Sequence, residues 1–146
     1  MIDITAQINS FPYAWFDTTS SGTNKMLVIQ NQDEAVDEHA FSDMSSIVYT
    51  DDPFSIREYD FDNIISLISP ERKLDPAGYV QKCQELLKDS GRLLFIMNNR
   101  FGIRYFCGDR DPYTGNVFDG IENKYNTDDE YKGRCFSRSE IENILE

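Results

Sequence analysis

Continuous apolar runs constrain this chain more than any other feature. KMLVIQNQ (25–32), SSIVYTDD (45–52), FDNIISLIS (61–69) and RLLFIMNN (92–99) each read as a short strand. Their apolar residues follow one another instead of alternating with polar ones, the mark of strands covered on both faces. Helical patterns separate them. DEAVDEHAFSDM (33–44) carries Ala35, Val36, Ala40 and Phe41 among acids, with the acids at the end the helix dipole favours. LDPAGYVQKCQELLKDSG (74–91) is the clearest helix: Asp75 caps it, Pro76 takes the first helical position and Gly91 lies just past the end. Tyr79, Val80, Cys83, Leu86 and Leu87 form its apolar face. Strands and helices in alternation predict an α/β fold with a mostly parallel sheet.

FSRSEIENILE (136–146) reads as a closing helix, because Ser137 followed by Glu140 is a capping box. The sequence before residue 25 is different in kind. FPYAWF holds Tyr13, Trp15 and Phe16, and DTTSSGTN is turn-rich. Residues 1–24 are therefore expected as an arm and linker, with the aromatic cluster either packed on the domain or serving as a ligand platform. Residues 25–146 are expected as a single α/β domain.

Charge narrows the partners. The net charge is −12, and residues 1–66 carry 12 acids against Lys25 and Arg57 alone. Residues 67–146 are nearly balanced, with 14 acids and 12 bases. A chain this acidic repels phosphate backbones and anionic lipid, so neither nucleic acid nor a membrane surface is an expected partner. MIDITAQINS has neither a basic region nor an apolar run, so no signal peptide is expected, and no apolar stretch approaches membrane-spanning length. Cys83, Cys107 and Cys135 are odd in number and widely spaced, which suits free thiols and a cytoplasmic setting.

The polar chemistry concentrates after RLLFIM. NNRFGIRYFCGDRDPYTGNVFDGIENKY (98–125) brings Asn98, Asn99, Arg100, Tyr105, Asp109, Arg110, Asp111, Tyr113, Asp119 and Glu122 to one strand end. Ligands of parallel sheets bind outside the carboxyl ends of the strands. Amides, carboxylates, guanidinium groups and aromatic faces together suit a sugar or another polyol. The same residues also suit a structural lid in which acids and bases satisfy each other. Glu71, in SPER (69–72), could act as a base on a sugar hydroxyl or stand in an exposed loop. His39 could act as a general base or face solvent. No Ser-His-Asp set, EF-hand loop, HExxH or phosphate-cradling loop is readable.

The stretch YDFDNIISLISPERKLDPAGYVQKCQELLKDSGRLLFIMNN resembles the second half of class I S-adenosylmethionine-dependent methyltransferases. There, acids and an aromatic lead into a strand, an amphipathic helix and a further strand. NRFGIRYFCGDRDPYTGNVFDGIENKY with FSRSEIENIL is similar to a bacterial methyltransferase-like group encoded with glycosyltransferases of surface-polysaccharide pathways. The resemblance spans about residues 45–146. It implies a Rossmann-like three-layer α/β/α arrangement in a reduced methyltransferase fold. KMLVIQNQ would be the family's first strand, SSIVYTDD its third, FDNIISLI its fourth and RLLFIMNN its fifth. A second strand and a final antiparallel pair have no counterpart, as in a shortened relative or a fragment. The resemblance further implies S-adenosylmethionine as cofactor, held by Gln30, Asn31, Asp51 and Ser69, and methyl transfer to a sugar or polysaccharide precursor, with Glu71 at the catalytic position. One departure is chemical: VIQNQDEAVDEH lacks the glycine-rich turn and sets Asp33 and Glu34 where the cofactor's carboxylate would approach. A degenerate, non-catalytic module that contacts a glycosyltransferase or self-associates is the second reading.

Overall fold

The computed structural model describes residues 24–31, 46–126 and 131–146. The expectations for Tyr13, Trp15, Phe16, Asp33, Glu34, His39 and the helix at 33–44 lie outside the described residues. The chain divides into two compact units. One takes in the described residues up to Leu67 together with Glu85–Leu94, and the other comprises Ile68–Gln84 and Phe95–Glu146.

The first unit is built on a sheet. Its strands are β1 (Lys25–Ile29), β2 (Ser46–Thr50), β3 (Phe61–Ser66) and β4 (Leu87–Phe95), in the order β2-β1-β3-β4. β1 pairs in parallel with both β2 and β3. The central strand is the most apolar, and Met26, Leu27, Val28 and Ile29 are all fully buried. Pleating sends alternate residues to opposite faces. Met26, Val28 and Ile65 make one buried cluster with Ile47, Leu67 and Leu94, while Leu27 pairs with Ile64 in register and faces the other way. Asp62 ties three strands at their amino ends. Its carboxylate accepts from the Lys25 backbone N–H at 2.9 Å and from Lys88 Nζ at 2.7 Å. Those bonds hold its pKa below the ordinary value.

The apolar runs mark the strands, and pairing trims them. β1 ends at Ile29 and β3 at Ser66, short of the ends the sequence suggests. The larger correction concerns the helix expected over 74–91. It forms as α1 (Pro76–Leu86), with Asp75 Oδ1 accepting from the Gly78 N–H at 2.9 Å as a cap. Leu87–Gly91 leave the helix and open β4. Gly91 is thus a strand residue, and a Cβ there would stand 3.0 Å from the Phe61 carbonyl oxygen of β3. Nor is RLLFIM a buried strand: β4 is an edge strand with no fully buried residue, and Ile96 beyond it is 61% exposed.

The second unit contains most of α1, whose Tyr79, Val80 and Cys83 are buried. It also holds two one-turn helices, α2 (Ile103–Phe106) and α3 (Asp119–Glu122), and the closing helix α4 (Arg138–Leu145). The capping box at α4 forms as the sequence predicts. Ser137 Oγ accepts from the Glu140 N–H, and the Glu140 carboxylate accepts from the Ser137 N–H at 2.7 Å. Bridges join Asn99 to Phe136 and Arg110 to Val117, so the polar stretch is pinned along its length. Among the described residues, no helix is long and apolar enough to cross a membrane.

Candidate functional site

The second unit is organised around two buried carboxylates. Glu71 lies in a 3-10 turn, Pro70–Arg72, and is only 2% exposed. The exposed-loop reading of SPER is thereby corrected. Asn98 donates to both Glu71 carboxylate oxygens, from its backbone N–H at 2.9 Å and from its side-chain amide at 2.7 Å. Tyr113 adds its hydroxyl to Oε1. The Glu71 carbonyl accepts from the Tyr131 hydroxyl at 2.9 Å and the Arg134 N–H at 3.0 Å. Gly133 makes this approach possible: its φ is +127°, and a Cβ would meet the Tyr113 ring at 2.5 Å and the Glu71 carbonyl at 3.0 Å. A buried carboxylate needs such donors. A general base also needs a lone pair directed at its substrate, and here both oxygens of Glu71 are engaged within the unit.

Asp111 is the second hub, also 2% exposed. Its Oδ1 accepts from the backbone N–H groups of Tyr113 at 2.8 Å and Thr114 at 3.1 Å. Its Oδ2 accepts from the Tyr125 hydroxyl at 2.6 Å. Burial, then the bond to Asp111, pushes the Tyr125 pKa up, and burial, then Glu71, does the same at Tyr113. The first two bonds are those of an Asx turn closing the tight connection after Arg110.

A third chain of contacts extends from Asn98. Arg104 donates to Asn98 Oδ1 at 2.7 Å and to the Tyr105 hydroxyl, which lies 3.6 Å from Cys135 Sγ. Burial raises Tyr105 to about 12 and Cys135 to about 11, so both stay protonated at neutral pH. Arg100 pairs with Glu140 at 3.2 Å and stacks on Phe101.

The polar loop therefore separates into kinds of residue that the sequence did not distinguish. Glu71, Asn98, Tyr105, Asp111 and Tyr113 interlock. Asn99, Asp109, Arg110 and Glu122 are exposed. Asn99 accepts from the Phe101 N–H at 3.0 Å, Arg110 donates to the Gly115 carbonyl at 2.9 Å, and Glu122 pairs with Lys124. Asp119 accepts from the Asn116 amide at 2.8 Å. Ser69 carries a buried hydroxyl with no hydrogen-bond partner among the described residues.

Among the described residues, a polar cavity of about 240 Å³ lies beside Tyr113. Tyr113, Asn116, Asp119, Lys124, Asn126 and Lys132 line it. Of these, Asn116, Lys124, Asn126 and Lys132 were missed as binding candidates by the sequence reading. Their one visible sign was that four tyrosines at 105, 113, 125 and 131 each need a hydroxyl partner, which fixes the chain around them.

In the first unit, the strand order reverses at β1, because β2 lies on one side of it and β3 on the other. Such a reversal leaves a crevice outside the carboxyl ends of the strands. Gln30 and Asn31 follow β1, and Asp51 follows β2 in an exposed turn. The Gln30 N–H donates to the Thr50 carbonyl at 2.8 Å, and the Leu67 N–H to the Ile29 carbonyl at 2.8 Å, so the three strand ends are held side by side. Among the described residues, no group of three or more His, Cys, Asp or Glu is arranged to hold a metal ion. No family model, curated protein or solved structure matches the chain.

Proposed function

We propose that this chain is a methyltransferase-like domain of Rossmann-like three-layer type that acts on a sugar or polysaccharide precursor. The observation that carries the reading is the strand order. If the resemblance is followed, the strands correspond to the first, third, fourth and fifth of a doubly wound sheet. A doubly wound order of 3-2-1-4-5 with its second strand removed becomes 3-1-4-5. That is the order β2-β1-β3-β4 found here. S-adenosylmethionine would meet Gln30, Asn31 and Asp51 at the strand ends. Two amides and a carboxylate suit the hydroxyls and ring nitrogens of an adenosine. When bound, the cofactor supplies an electrophilic methyl group, and the protein's part is to align an acceptor oxygen with it.

Two observations favour the second reading, a non-catalytic module that keeps this scaffold and contacts a glycosyltransferase or a second copy of itself. The turn after β1 has no glycine, and Glu71, which the resemblance puts at the catalytic position, is saturated with internal donors. Fold alone does not decide between them. Calorimetric titration of the full chain with S-adenosylhomocysteine does. Micromolar binding, weakened by Asp51→Ala, is the expected result for the cofactor reading. No heat up to millimolar ligand, with an unchanged melting temperature, leaves the non-catalytic module.

A further inference from the structure

We draw no further inference here: the strongest candidate, the polar cavity beside Tyr113 in the second unit, carries nothing because Asp128, Asp129 and Glu130, which stand in sequence between its lining residues Asn126 and Lys132, lie outside the described residues and leave the charge around it, and so the class of ligand, undefined.

Discussion

Cys83 shows how one buried atom couples this protein to pH. It is fully buried in α1, and burial lifts its thiol from an ordinary 9.0 to about 12. The folded chain therefore holds the neutral thiol more strongly than the unfolded chain does. That contribution is complete below pH about 9 and is lost as pH rises toward about 12. Stability measured by denaturant melts should fall across that window, and Cys83→Ala should flatten the fall. It should not abolish it, because Tyr105 and Cys135 are raised by burial too. An equally steep alkaline loss in the variant would assign the effect elsewhere. Glu71 and Asp111 make the complementary point: their acceptor capacity is consumed by tyrosine hydroxyls and backbone N–H groups, so their first role is to fix the geometry of the groups around them.

At the scale of elements, β4 is the instructive case. KDSG reads locally as a helix end, yet it lies in a strand beside β3, tied by Lys88 to Asp62. Local capping signals are worth about 1 kcal/mol, and a row of strand hydrogen bonds outweighs them. Gly91 is required at its position by close approach: a Cβ would stand 2.8 Å from Leu87 Cδ2, 2.9 Å from the Lys88 carbonyl oxygen and 3.0 Å from that of Phe61. Gly91→Ala should therefore cost about 1–3 kcal/mol, the usual penalty of forced overpacking, read as a lowered denaturant midpoint. A neutral result would mean that the edge strand shifts freely. α4, by contrast, begins where its capping box says, because that signal is satisfied by contacts within a single turn.

For the whole molecule, net charge sets the behaviour. At −12 the folded chain repels itself. Raising salt from about 0.01 M to about 1 M shortens the screening length from roughly 30 Å to roughly 3 Å. The melting temperature should rise over that range. A fall would show that local pairs such as Arg100–Glu140 and Lys88–Asp62 outweigh the general repulsion.

The sequence by itself determined the first three strands, their parallel pairing, and the N-terminal caps of α1 and α4. These depend on runs and spacings of a few residues, which the chain carries locally. It also marked 98–125 as the stretch where polar side chains concentrate. The tertiary structure decided the rest. Sheet neighbours chose β4's true start at Leu87, and the edge position left that strand half exposed. Burial chose Glu71 and Asp111 as hubs, because Asn98, Tyr113 and Tyr125 reach them only once the chain has turned back on itself, across sequence separations of 27, 42 and 14 residues. The cavity follows from the same cause. Residues 113–126 and 132–133 share a wall only because those hydrogen bonds fold the stretch, and no periodicity in the sequence records a hydrogen bond between distant side chains.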